Sequence, residues 1–533
     1  MKRHRRRLIA VAAAAVPVLS LTACAGSTSP ASTQQQPVNK VFTYDTTAPV
    51  MVDGWDPATE YSDGILAMSE MYETLTRYNS ATNTVGPLLA TSWSAADGGK
   101  TWTFHLRHGV YFHTGRPMTA QAAKASILRT IKLNGGASYI WAAVKTIDTP
   151  DQYTLVFHLS YPSPLALEAS ADYSAYIYDT QGPAGQSVNA FTNWLNAGHD
   201  AGTGPYTAQT WNKNQEFEVY VKQFGKYWGG WSGPHFTKVV FRVVPQDTTA
   251  AQLLRSGQVS FVEQISPSLW SSFKGDSSIT TVSSPSWQNL LAQLNVKALS
   301  LPVRQAVLYA IDYHGIIAAL RGAGVASSGI VPPGLFGHFG DLPAYSYDKA
   351  KAAALLSQAG YGPGKKALNL SLTYTQGDSN EQVVATIIKS DLAALNVNLS
   401  VQALAWPTQW SKGKSSNPAQ RQDIFMEYWW PDYPDPYSWF VNLLETENPP
   451  SYNLSYYSNP AMDRMINQVE PLVATSTSGA EQLYRNMQVT IMQQAPIVSV
   501  YNVNYQYAML SGISGFRVDP AYPNVVFVHD LKP

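Results

Sequence analysis

Cysteine is almost absent: Cys24 is the only one in 533 residues, so no intrachain disulfide can form. Charge is sparse as well, at 14% of the chain, with 36 basic residues against 36 acidic ones. No basic excess over the acidic residues suggests nucleic acid binding. No apolar run has the length and hydrophobicity of a membrane span; the longest candidate, residues 8–23, is short, rich in small residues and broken by Pro17. H-E-x-x-H, G-x-S-x-G and phosphate-binding glycine loops are missing. No repeat recurs at solenoid periods. Tyrosine and tryptophan are plentiful, at 31 and 15 residues. Their broad faces with one polar atom suit a large internal cavity or a tyrosine-rich surface.

The first residues read as an export signal. Met1 to Arg7 form a basic segment, followed by the apolar run that ends Leu21-Thr22-Ala23-Cys24. This ending resembles a bacterial lipobox, which implies cleavage before Cys24 and lipidation of its sulfur. A cysteine so modified cannot serve as a nucleophile. Residues 24–36 are rich in Ser, Thr, Gln and Pro and form a lipidated flexible tether. All five Lys/Arg before Cys24 leave with the signal, so 36 becomes 31 basic residues against 36 acidic. A soluble body on a leash at the extracytoplasmic face of a membrane is expected.

The most distinctive segment is Tyr428-Trp429-Trp430-Pro431-Asp432-Tyr433-Pro434-Asp435-Pro436-Tyr437. Three prolines fix the backbone in an extended or turn path that neither a helix interior nor a central strand accepts. Asp432 is thereby held between flat apolar walls, where a carboxylate needs a cation or hydrogen-bond donors. A surface turn with local Asx bonds is the other reading. Neighbouring residues of an extended segment point to opposite sides, so only one of Trp429 and Trp430 is expected to face a cleft.

Strands and helices alternate along the chain, which points to α/β architecture. Residues 100–106 alternate with period two, residues 119–131 open on a capping Thr119, and 153–159, 216–221 and 238–244 read as strands. Residues 301–320 carry one apolar face and predict a single helix. A strand at 368–374, a helix at 381–395 and a strand at 398–404 make a βαβ unit.

In this order the segments resemble the family 5 extracellular solute-binding proteins of ABC importers, the oligopeptide- and dipeptide-binding group. The matching runs are Pro87 to Trp93, Asp97 to Gly115, Gly202-Thr203-Gly204-Pro205-Tyr206, Tyr227-Trp228, Arg304 to Asp312, Asp348 to Lys351 with Ala359-Gly360-Tyr361, and Trp429 to Pro436. The resemblance implies an α/β, two-lobed periplasmic-binding-protein-like fold (type II, cluster C) with an extra domain inserted in the first lobe. Carried over, residues 37–79, 202–290 and 500–533 form lobe I, 80–201 the inserted domain and 291–499 lobe II, with 1–23 as signal peptide.

What the resemblance implies for function is capture of a peptide between the lobes and delivery to an ABC permease with its cytoplasmic ATPase. Asp432 would pair with the ligand's α-ammonium. Trp406 resembles the aromatic lining the side-chain pocket, and Trp410, Trp430 and Tyr433 complete the expected ligand-binding set. Asp435 is read as structural. The pattern departs from the best-known peptide binders in one respect. Their second lobe places basic residues against the ligand carboxylate, whereas residues 424–428 here contain no arginine and add Glu427. Arg321 and Arg421 are the candidates elsewhere.

No enzyme, cofactor or metal is expected. An oligosaccharide or other non-peptide solute stays open as ligand, as does a surface lipoprotein that senses without transport. A glycoside hydrolase would need Asp432 and Asp435 to face each other across a bond. His105, His108 and His113 have metal-like spacing but fall in a strand-turn-strand, where Phe104 and His105 must point oppositely.

Overall fold

The computed structural model describes residues 40–47, 54–182, 187–212 and 219–533. The expected export signal, Cys24 and the tether lie outside the described residues, as do residues 216–218 of one expected strand.

One sheet of eleven strands runs through the structure. In chain order its strands are β1 (Val41–Thr46), β2 (Tyr206–Trp211), β3 (Val219–Gln223), β4 (Lys238–Val243), β5 (Phe261–Glu263), β6 (Ile279–Leu294), β7 (Gly324–Val325), β8 (Leu368–Thr375), β9 (Val397–Leu404), β10 (Ile424–Trp429) and β11 (Ile497–Leu510). Their spatial order is β9-β8-β10-β6-β11-β5-β1-β4-β3-β2, with β7 on β11. Parallel pairs occupy both wings: β9 and β10 flank β8 on one side, and β4 and β5 flank β1 on the other. The antiparallel strands β6 and β11, 16 and 14 residues long, join the wings.

Along β6 and β11 the pairing breaks twice, between Pro285 and Asn289 and between Leu290 and Leu291. At the second break Leu290 faces Tyr501 and Leu291 faces Ser499, so Val500 is an extra residue in the ladder. A bulge of this kind bends and twists its strand.

A separate four-stranded sheet, Ala90–Ala96, Thr101–Leu106, Thr154–Leu159 and Val144–Asp151 in spatial order, falls within residues 80–201. In it Phe104 is fully buried and His105 exposed, as strand alternation requires. The junction at Gly202-Thr203-Gly204 passes against helix Ile65–Met71 so closely that a Cβ on Gly202 would sit 2.0 Å from the Met71 carbonyl oxygen. Only glycine fits there.

The βαβ unit forms as expected: β8 and β9 pair in parallel around helix Ser379–Ala393, whose Val384, Ile388 and Leu392 are buried. Thr119 caps helix Ala120–Leu133 by accepting from the Ala122 amide at 3.2 Å. The single helix expected over 301–320 is instead two, Leu301–Ala310 and Tyr313–Ala319. Ile311 is extended between them, and Asp312 caps the second by accepting from Gly315 N at 2.8 Å. An Asp that can cap starts a new helix as readily as it continues an old one, and the apolar stripe alone does not reveal this.

Candidate ligand-binding cleft

The carboxyl ends of the parallel strands on both wings open onto one cleft. From β8, the turn after it and the first turn of helix Ser379–Ala393 come Thr375, Asp378 and Glu381; from the segment after β9 come Trp406 and Trp410; from β10 and its exit come Glu427 to Trp430 and Asp432. The opposite wall carries Glu263 and Gln264 at the end of β5, together with Tyr61. Open α/β sheets place ligands outside the carboxyl ends of their strands, and this cleft follows that rule.

Asp432 stands where the chain leaves β10. Its backbone carbonyl accepts from Asp172 N at 2.9 Å, and its Oδ2 accepts from the Tyr139 hydroxyl at 2.5 Å. The side chain opens to the cleft, yet surrounding atoms hold it away from bulk water. That burial pushes the carboxyl up to about 6, with the Tyr139 hydrogen bond pulling the other way. Near neutral pH it is therefore an ionised carboxylate with one phenolic donor.

Asp435 faces elsewhere. It accepts from Tyr437 N at 2.9 Å and from the Tyr484 hydroxyl, and it is buried. The two carboxyls thus serve different partners and do not confront each other as a glycosidase pair must.

Trp406, Trp410 and Trp430 all line the cleft. Trp406 and Trp410 stack at 5.6 Å on helix Trp406–Gly413, and Trp410 leans on Tyr452 at 5.2 Å. Trp429 lines it too and meets Tyr452 edge-on at 5.6 Å. The expectation that only one of Trp429 and Trp430 faces the cleft fails because β10 ends at Trp429, so alternation does not extend to its neighbour.

Tyr433 departs from expectation. It is 3% exposed, belongs to the main hydrophobic core and does not line the cleft. Its ring packs into the core while its neighbour Asp432 lines the cleft. Arg321 and Arg421 do not line the cleft either. Arg421 stacks on Tyr456 at 3.8 Å and donates to the Ser415 carbonyl at 2.6 Å.

Acidity is the property of this cleft that the sequence did not reveal. Asp63, Glu263, Asp378, Glu381, Glu427 and Asp432 all contribute to its wall. Among the described residues lining it, none is Lys, Arg or His. Burial pushes Glu263 and Glu427 each up to about 8 and Asp378 up to about 6. Two oxygens, Glu263 Oε2 and Glu381 Oε1, are buried without a hydrogen-bond partner. The capping Asp378 and the first-turn Glu381 were findable, because they occupy the turn joining a strand and a helix that the periodicity located. Tyr139 and Glu263 carried no such signal.

The three histidines do not assemble. His113 pairs with Asp200 and reaches the Gly204 carbonyl at 2.9 Å, while His108 stacks on Tyr153 at 3.9 Å. Among the described residues, no group of three or more His, Cys, Asp and Glu could hold a metal ion.

A family model described as bacterial extracellular solute-binding proteins, family 5 Middle, matches residues 84–451. The chain belongs to this family. It is a solute-binding protein of the ABC-importer type, not an enzyme. One relative is the probable D,D-dipeptide-binding periplasmic protein DdpA of Escherichia coli K12, 26% identical over 83% of this chain and 84% of that protein. Another is heme-binding protein A of Haemophilus influenzae, 26% identical over 87% of each. Among solved structures, the periplasmic binding protein DppA from Helicobacter pylori, in complex with peptide STSA, superposes with a TM-score of 0.78 at 22% identity. That match covers 92% of this solute-binding protein and 98% of the other. The fold is the mixed α/β, cluster C periplasmic-binding-protein architecture. No helix among the described residues is long and apolar enough to cross a membrane.

Proposed function

We propose that this protein captures peptides by their α-ammonium group and hands them to an ABC permease at the membrane surface. The observation that carries this reading is Asp432, a cleft-facing carboxylate with one phenolic donor and no described cationic residue in the wall around it. An ammonium group meets the need that burial creates there, through charge-assisted hydrogen bonds. Trp406, Trp410 and Trp430 supply broad apolar faces for the adjoining side chains. A relative described as a probable D,D-dipeptide-binding protein, and a solved structure of the same architecture in complex with peptide STSA, support the choice.

In this reading Cys24 carries the lipid anchor, and residues 24–36 tether the body to the extracytoplasmic face of the membrane. Two lobes, divided where β6 and β11 bulge near Leu290 and Val500, close over the ligand, with residues 80–201 inserted in the first. Closure is what distinguishes a loaded from an empty carrier for the permease.

The stacked pair Trp406 and Trp410 favours one other reading, a sugar ring laid on the indoles. A thermal-shift screen of the purified protein against peptides and oligosaccharides separates the two. A ligand at about 100 times its Kd stabilises the fold by about 2.7 kcal/mol. Peptide hits lost in Asp432→Asn are expected; oligosaccharide hits indifferent to that substitution would replace peptide by sugar.

A further inference from the structure

The wall that holds Asp432 at one place gathers three more carboxyls at another. Asp378 caps helix Ser379–Ala393, accepting from Glu381 N at 2.8 Å, and the Tyr428 hydroxyl also reaches it. A helix N-terminus accounts for one acid at that position. It does not account for Glu381, which is 0% exposed: Oε2 accepts from Thr375 N at 2.6 Å while Oε1 has no partner. Nor does it account for Glu427 on β10, 1% exposed, which receives one bond from Gln293 Nε2. Burial first, then the charges of Asp378 and Glu427, raise the Glu381 carboxyl well above its usual range. Their influence does not extend to Asp432, whose state follows from burial and Tyr139 alone.

Aromatic faces border the same place. Gln293, which holds Glu427, also donates to the Tyr452 carbonyl at 3.0 Å, and the Tyr452 ring contacts Trp410 and Trp429. A buried carboxyl cluster beside indole faces is the environment an organic cation prefers, with charge pairing on one side and ring quadrupoles on the other. A bare metal ion is disfavoured, since among the described residues no group of three or more His, Cys, Asp and Glu is arranged to hold one.

We infer that the cleft has a second cationic subsite, formed by Asp378, Glu381 and Glu427 against Trp410 and Tyr452, and that its ligands are basic peptides carrying a Lys- or Arg-type side chain. This rests on the peptide reading for the ligand's backbone but not for its charge. A free ligand carboxylate finds no described cation in the wall, so peptides blocked as amides bind better than free acids. Burial raises the Glu381 carboxyl well above its usual range and Glu427 to about 8, so a bound cation draws one or both into the ionised form beside the Asp378 carboxylate and releases protons. The groups facing these acids include Glu263, Gln293, Tyr374, Thr375, Tyr428 and Tyr501, none of which is cationic.

Isothermal titration of the purified protein with Ala-Lys-Ala-amide, Ala-Gln-Ala-amide, Ala-Glu-Ala-amide and spermidine tests this. The lysine peptide is expected to bind at least about tenfold tighter than the glutamine peptide. Its heat should vary with the ionisation enthalpy of the buffer, as proton release demands. Glu427→Gln and Glu381→Gln should each shrink that preference and the proton count, with folding checked by thermal melting. Equal affinity for all three peptides would leave peptide capture standing and remove the second subsite. Binding of spermidine alone would keep the paired cationic subsites and overturn the peptide reading. Silence from every probe overturns the inference.

Discussion

The Tyr139 hydroxyl donates to Asp432 Oδ2 at 2.5 Å, which ties a short helix within residues 80–201 to the acidic loop leaving β10. The Asp172 amide adds a second tie to the same loop, through the Asp432 carbonyl at 2.9 Å. Asp432, which lines the cleft, is therefore oriented from outside its own wing of the sheet.

Tyr139→Phe removes the phenolic donor and keeps the ring. A hydrogen bond to a charged group is worth about 1.5–3 kcal/mol. Loss of at least about tenfold in affinity for ammonium-bearing peptides near pH 7 is expected by titration calorimetry. The midpoint of the pH dependence should also move upward, because the donor stabilised the ionised form. Unchanged affinity and midpoint would show that Tyr139 has no part in holding the anchor.

Peptide affinity should fall as pH drops through about 6, where Asp432 takes up a proton and can no longer pair with an ammonium. Asp432→Asn should abolish this dependence together with the affinity. A flat profile from pH 7 to pH 5 in the unmutated protein would contradict the assignment.

Stability of the ligand-free protein should change in the opposite sense to that of a protein rich in surface ion pairs. Glu70, Glu263 and Glu427 are each pushed up to about 8 by burial, above their unfolded value of 4.5. Between those limits the folded state binds more protons than the unfolded one, so stability rises as pH falls. Burial lowers His113 but its bridge to Asp200 outweighs this and raises it, so it acts in the same direction. The melting temperature should be higher near pH 5.5 than near pH 8, and Glu427→Gln should flatten part of that slope.

Tyr433→Ala should cost about 3–5 kcal/mol of stability, as expected for removing a core aromatic ring. The fraction that folds should bind peptide with unchanged affinity, because the ring lies in the core and not in the cleft. Chemical denaturation and calorimetry of the same preparation separate the two effects.

Periodicity revealed the elements that build the cleft better than it revealed the cleft itself. The strand at 368–374 and the helix at 381–395 were legible because each buries one face and alternates accordingly. The proline-stiffened acidic segment was legible because few local structures accept it. What escaped were side chains brought in by distant strands: Glu263 from β5 and Tyr139 from a short helix have no sequence neighbour that announces them. The inward turn of Tyr433 escaped for a related reason. It depends on how the segment meets the core, and a proline count does not give that direction. The missing arginine near β10 was visible in the sequence; its consequence, a wall in which acids lack described cationic partners, required the fold.

The most direct test is a paired titration with one peptide in two forms, Ala-Lys-Ala-amide with a free α-ammonium and its N-acetylated counterpart, against the unmutated protein and Asp432→Asn. The free amine should bind at least about tenfold tighter to the unmutated protein, and the advantage should vanish in Asp432→Asn, which leaves the acetylated form unaffected. Equal binding of both forms to the unmutated protein would contradict Asp432 as the ammonium anchor.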